Sequence, residues 1–199
     1  MIPVLDLDGA LDVLARDGVV IVPTDTVYGA AASFESSSGV ERLFELKRRP
    51  RSVALPVLID SVEQITSLGV EWPHLAQRLA ASFWPGALTI VVETPEALAR
   101  RVSSEATSIG FRIPGLAVLR ELLARSGPLA VTSANRHGEP PCRSVAEVLE
   151  AFASSALGGV LDGGRCDGLV STVVDVTGGK CRIVRSGAIG PDAIETAVV

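Results

Sequence analysis

An α/β fold with one twisted, open, mixed sheet and flanking helices is the architecture this sequence predicts. Short β-branched runs alternate with stretches of helical periodicity, cap signals stand before several of those stretches, and glycine pairs join the last strands. No repeat, low-complexity tract or linker divides the 199 residues, so one domain over 1–199 is expected, large enough to bury a real core.

Asp6 or Asp8 can cap a first helix that runs to about Asp17, with Leu7, Leu11 and Leu14 on one face and Gly18 ending it. Val19-Val20-Ile21-Val22 follows as a buried strand, and Pro23-Thr24-Asp25-Thr26-Val27-Tyr28-Gly29 comes after it. In open α/β sheets the carboxyl ends of strands are where ligands sit, and this strand ends in hydroxyls, a carboxylate and a phenol. The same residues also read as a well-capped turn. Ser38-Gly39-Val40-Glu41 has capping-box spacing, and Val40, Leu43, Phe44 and Leu46 form the stripe of a second helix. That helix runs into Lys47-Arg48-Arg49-Pro50-Arg51.

Leu55–Ile59 reads as a strand, with Ser61 and Gln64 opening a short helix after it. A helix over about 73–82 leads into the rigid turn Phe83-Trp84-Pro85-Gly86, and Ala87–Glu93 is a strand. Ile109–Pro114 reads as a strand interrupted by Arg112. A helix over 116–125 and the strand Leu129–Val131 come next, opening into Thr132-Ser133-Ala134-Asn135. Ser144 and Glu147 cap a helix to about Ala153. Beyond it, glycines surround two short apolar pieces, and 171–176 with 181–185 form a hairpin across Gly178-Gly179.

Composition excludes several classes. A net charge of −5 argues against general affinity for nucleic acid, and eight aromatics are too few for a base-stacking platform. No apolar run is long enough to cross a bilayer and the first residues lack the form of a signal peptide, so a cytoplasmic location and no membrane contact are expected. Cys142, Cys166 and Cys181 are an odd count without CxxC spacing, and only His74 and His137 join them. Neither a disulfide framework nor a structural metal is indicated. Phosphate-loop, dinucleotide, nucleophile-elbow and HExxH motifs are all absent.

What remains is charge and hydroxyl at the strand ends: Thr24, Thr26, Tyr28, Lys47, Arg49, Arg112, Ser133, Asn135, Ser171, Thr172 and Arg185. Such a set suits an anionic, many-oxygen ligand, with arginine supplying planar two-point contacts and lysine a point charge. The Lys47–Arg51 run can equally be a solvated helix end whose cations complement the dipole. Arg112, between Phe111 and Ile113, must leave one apolar face or pair with an anion.

Taken in order, seven segments resemble the threonylcarbamoyl-AMP synthase family of YrdC-like proteins: PTDTVYG (23–29), KRRP (47–50), FWPGALT (83–89), IGFRIP (109–114), TSANRHGEP (132–140), STVVDV (171–176) and IVRSGAI (183–189). The length is similar to the short form that lacks a C-terminal extension. The resemblance implies a YrdC-like sheet with a concave basic face. It also implies a nucleotidyltransferase that joins L-threonine, bicarbonate or CO2, and ATP into threonylcarbamoyl-AMP and pyrophosphate, with Mg2+ accompanying ATP. Downstream tRNA-modification proteins would be its partners, with tRNA contact weak or indirect.

By the same resemblance Lys47 and Arg49 hold phosphates, and Ser108, Ser133, Asn135 and Arg185 complete the ATP site. Thr26, Tyr28, Arg112 and Ser171 contact threonine, Lys47, Arg49 and Arg112 are the catalytic set, and no residue is a metal ligand. The chain departs from the family pattern at four positions. Val53 and Ala54 stand where a second lysine and a proline are usual, Leu116 replaces a histidine, and His137 replaces a serine. Two other functions fit the same features: an RNA-binding module of this fold, and a divergent nucleotide-binding paralogue without threonine chemistry.

Overall fold

The structure, a computed structural model, describes residues 2–135, 139–153 and 157–198. Its first half runs β1 (Val4–Leu5), α1 (Leu7–Ala15), β2 (Val20–Val22), β3 (Gly29–Ser33), α2 (Ser37–Lys47), β4 (Val57–Leu58), α3 (Val62–Ser67), α4 (His74–Phe83) and β5 (Leu88–Glu93). There follow α5 (Glu96–Val102), β6 (Ser108–Arg112), α6 (Ala117–Ser126), β7 (Leu129–Ser133), α7 (Val145–Ala151), β8 (Gly159–Leu161), β9 (Thr172–Asp175), β10 (Arg182–Arg185) and α8 (Pro191–Val198). The ten strands form one mixed sheet in the order β1-β8-β2-β3-β7-β4-β6-β5-β9-β10. The predicted fold class stands.

Alternation along the strands sorts side chains into two cores, one on each face. Val19, Ile21, Ala30, Ala32, Ile109, Phe111 and Ile113 belong to the larger core, which α2, α3, α4, α5, α7 and α8 cover. Val20, Val22, Ala31, Leu58, Leu129 and Val131 belong to the smaller one, under Ala10 and Leu14 of α1 and Leu119, Leu122 and Leu123 of α6. Full burial of one such leucine stabilises by about 1.5–3 kcal/mol. Two helices cannot cover the whole of a ten-stranded face, and the uncovered part is where the polar residues gather.

Local chemistry sets the element ends. Asp6 caps α1, its carboxylate accepting from the Gly9 N–H at 2.8 Å. Asp17 rather than Gly18 takes the positive φ (58°) after this helix. Gly18 is needed for space, because a Cβ there would lie 2.5 Å from Val13 Cγ1. The cap of α2 is Ser36, two residues earlier than the capping-box spacing suggested. Its hydroxyl accepts from the Gly39 N–H at 2.9 Å, while Glu41 pairs with Arg51 at 2.9 Å. Arg48 then adopts the left-handed conformation (φ 46°, ψ 41°) that ends α2 and turns Arg49 back. The strand expected over Leu55–Ile59 is shortened to β4 at its start, because the Leu55 N–H donates to Val102 O at the end of α5 and Pro56 has no N–H to give.

Candidate active site

Residues brought together from most of the chain line a cavity of about 160 Å³. Gly29 of β3, Val131, Thr132 and Ser133 of β7, Leu58 of β4, Arg112 of β6, Thr89 of β5 and Arg185 of β10 contribute, with Ser171 just before β9. These strands are consecutive in the sheet, so the cavity lies across a face rather than at a row of strand ends. Leu58 and Val131 also belong to the smaller core. The cavity therefore begins where the α1/α6 cover stops.

Thr24, Thr26 and Tyr28 form the wall supplied by the loop after β2. The Thr24 hydroxyl donates to Val27 O at 2.7 Å and accepts from the N–H groups of Thr26 and Val27. A turn thus forms, and it is also a polar wall; the two readings of this stretch are both true. Tyr28 is fully buried and donates its phenol to Gly164 O at 2.7 Å, which ties the glycine-rich loop to the site. Burial raises its pKa to about 12. The same loop presses on the threonine turn at Gly168, where a Cβ would lie 2.2 Å from Asp25 O.

Arg112 faces away from the larger core, opposite Phe111, and it has an anionic partner as well. Its Nη2 donates to Asp25 Oδ1 at 2.7 Å, Nε to Gly86 O at 2.8 Å and Nη1 to Thr26 Oγ1 at 3.2 Å. Burial pulls its pKa down and Asp25 opposes that pull. Arg185 donates from Nε and Nη2 to Ser171 O and from Nη2 to Ser171 Oγ, and Ser171 Oγ lies 3.0 Å from Thr89 Oγ1. Arg49 is held by the carbonyls of Val53 and Ala54, both at 2.9 Å. Val53 and Ala54, two of the four positions that depart from the family pattern, thus position this arginine through their backbones.

Lys47 sits beside the cavity, donating to Asn135 O at 2.8 Å and to Asn135 Oδ1. Ser133 donates to the same Oδ1 at 2.7 Å. Burial first, and then the Arg49 charge, lower the Lys47 pKa to about 8. After burial, Arg49 is depressed by Arg185, and Arg185 by Arg112. The four cations are therefore one electrostatic cluster, each side chain acting on the next.

Thr26, Tyr28, Arg49, Arg112, Ser133, Ser171 and Arg185 line the cavity, and Lys47 and Asn135 join it through hydrogen bonds. Ser108 does not join them. It opens β6 opposite Glu93, ~13 Å along the strand from Arg112. His137 lies outside the described residues. Leu116 packs against the smaller core. Two residues without an expected role belong to the site: Asp25, which holds Arg112, and Thr89, which touches Ser171. Both stand inside the motifs above, Asp25 as the one carboxylate among the hydroxyls of its turn.

A larger cavity of about 710 Å³ lies beside α3 and α4, with Trp72, Trp84, Pro85 and Ile113 in its wall. It lacks the cation cluster, so the smaller cavity is the candidate site on chemical grounds. Among the described residues no group of three or more His, Cys, Asp or Glu is placed to hold a metal ion. No described helix is long and apolar enough to cross a membrane.

Comparison with known proteins agrees with this geometry. The family model Sua5/YciO/YrdC, described as "Telomere recombination", matches residues 12–187. The threonylcarbamoyl-AMP synthase of Pyrococcus abyssi is 35% identical over 186 residues, covering 92% of this chain and 54% of that protein. The chain thus spans about half the length of that relative. The threonylcarbamoyl-AMP synthase of Xanthomonas euvesicatoria pv. vesicatoria is 35% identical over 167 residues, covering 82% of this chain and 88% of its own. The crystal structure of P. abyssi Sua5 complexed with L-threonine superposes with a TM-score of 0.89 and 33% identity, over 96% of this chain and 57% of that one. With its fold, its motifs and these relatives in agreement, the chain belongs to the Sua5/YciO/YrdC family.

Proposed function

We propose that this protein is an L-threonylcarbamoyladenylate synthase, forming threonylcarbamoyl-AMP and pyrophosphate from L-threonine, bicarbonate or CO2, and ATP. The observation that carries the reading is the meeting of Thr26, Ser133, Ser171 and three arginines on one cavity of about 160 Å³. That volume is well below the ~300–1,000 Å³ of sites for drug-sized ligands. It suits a small amino acid, with the nucleotide extending out of the cavity toward Lys47 and Asn135. The names of the P. abyssi and Xanthomonas relatives, and the threonine bound to P. abyssi Sua5, support the same substrate class.

In the proposed reaction the threonine amine adds to CO2, giving a carbamate and releasing one proton. A carbamate oxygen then attacks the α-phosphate and pyrophosphate leaves. Lys47, Arg49 and Arg185 offset the charge on phosphate, and Arg112, locked by Asp25 and Gly86, orients the carboxylate or the carbamate. Mg2+ enters as the MgATP substrate complex, held mainly by the phosphate oxygens. Tyr28 acts by fixing the loop at Gly164. The product would pass to downstream tRNA-modification proteins in the cytoplasm. The acidic net charge counts against the RNA-binding alternative.

The test is incubation with ATP, Mg2+ and bicarbonate against a panel of amino acids, following pyrophosphate and the mass of the acyl-adenylate. Threonine alone should yield both at high rate, and Arg49→Ala should lower that rate at least ~100-fold while staying folded. Equal rates across the panel, or a folded Arg49→Ala protein with normal turnover, would defeat the reading.

A further inference from the structure

A free amino acid in neutral water carries an ammonium group, and a charge taken out of water needs an opposite charge nearby. This cavity has none to offer. Among the described residues its wall holds Arg49, Arg112 and Arg185 and no aspartate or glutamate. The Asp25 carboxylate, next in sequence to Thr26 of the wall, is engaged by Arg112 Nη2 at 2.7 Å. Lys47 adds a further cation from behind Asn135. The Tyr28 phenol stays protonated on Gly164 O, and the buried thiols of Cys142 and Cys166 have raised pKa values and stay neutral. Asp162 is not part of the wall and accepts from the Gly164 N–H at 2.9 Å.

The hydroxyl protons are arranged to the same end. The single proton of Thr24 goes to Val27 O, so in its 2.8 Å contact with Thr26 Oγ1 the Thr24 oxygen can only accept, sharing a lone pair that already faces a backbone N–H, and the Thr26 hydroxyl points its proton there. Thr26 also accepts from Arg112 Nη1. It therefore offers the cavity a lone pair, which can accept an N–H but cannot balance a full positive charge.

Resting on the synthase reading, we propose that the cavity binds its amino acid with the α-amine uncharged, and that binding itself makes the nucleophile. One N–H bond of the ammonium breaks, the proton leaves to solvent, and the electron pair stays on nitrogen. An N–H of the resulting amine donates to Thr26 Oγ1, and the lone pair is free to attack CO2. As the C–N bond forms, a second N–H bond breaks and its proton also leaves to solvent, so the carbamate that results is an anion, the charge that Arg112 faces. Thr24 is a positioning residue here, acting only through the proton of Thr26. No histidine or carboxylate is needed in the wall as a base, and none is found there among the described residues.

Calorimetry of L-threonine binding at pH 7, in two buffers of different ionisation enthalpy, counts the protons released. About one proton per bound threonine is expected, with affinity rising roughly tenfold per pH unit until the free amine deprotonates. The amine-free analogue 3-hydroxybutyrate should bind without release. Val170→Glu, at a rim position that is 40% exposed and lines the cavity, should supply the missing counter-charge and suppress release. Threonine that binds and turns over with no proton release and a flat pH profile overturns this inference and leaves the synthase reading intact. Release that vanishes in Lys47→Met overturns it too, since the proton then came from that lysine. Failure of threonine to bind at any pH, with or without ATP, overturns both.

Discussion

Replacing Asp25 by asparagine tests how the centre of the site is held. The change keeps shape and one acceptor oxygen but removes the charge opposite Arg112, whose side chain is 7% exposed against 23% for Asp25. A hydrogen bond to a charged group contributes about 1.5–3 kcal/mol and a neutral one about 0.5–1.5. Loss of a whole buried partner costs about 3–5 kcal/mol. Arg112 keeps Gly86 O and Thr26 Oγ1, so the expected loss is about 2–3 kcal/mol. In a chain of 199 residues that is a fall in Tm of about 4–12 °C. The control is Asp60→Asn, which breaks a pair with Arg120 at 3.2 Å whose side chains are 25% and 42% exposed. Exposed pairs contribute under about 1 kcal/mol. Urea unfolding followed by the fluorescence of Trp72 and Trp84 compares the two variants directly. If Asp25→Asn were no more damaging than Asp60→Asn, the Arg112–Asp25 pair would not be the anchor described above.

Three further outcomes follow. Lys47 has a native pKa of about 8 against an ordinary 10.5, so the unfolded state binds more protons between those values and stability should rise with pH across that window. The slope is at most about 1.4 kcal/mol per pH unit, and Lys47→Met should flatten it; parallel profiles for the two proteins would contradict the assignment. Tyr28 is the only tyrosine, so absorbance at 295 nm reads it alone: the folded protein should titrate at about 12, and a midpoint near 10 in folded protein would show the phenol is not buried. Gly168→Ala drives a Cβ against Asp25 O and Thr26 Cα, both backbone, and should destabilise by about 1–3 kcal/mol while weakening threonine binding. Unchanged stability there would mean that the loop does not press on the turn.

Most long elements were readable because their signals are local. Asp6 and Ser144 cap the helices expected of them, and the glycine hairpin between β9 and β10 falls where the sequence puts it. The strand β3 was not readable: Gly-Ala-Ala-Ala-Ser has no β-branched residue, and its pairing with β2 on one side and β7 on the other makes it a strand. Likewise β1 and β8 are only two and three residues long and hold each other in register. The helix α5 lacks a local start signal too, since its N-cap is Pro95, which has no side chain able to cap it. Within the site, residue types pointed to an anion, but the partners did not show. Asp25 reaches Arg112 across 87 positions and Tyr28 reaches Gly164 across 136, separations at which no spacing pattern carries information. Ser108 illustrates the converse, a motif neighbour that the run of its strand carries away.

The cavity draws its first wall from the turn after β2 and its last arginine from the end of β10. Ligand affinity is consequently a property of the completed sheet. A chain still emerging from the ribosome, or one clipped before Ser171, retains most of both apolar cores yet lacks Ser171 and Arg185. If the proposed site is the working one, such an unfinished molecule should bind substrate more weakly than finished copies do.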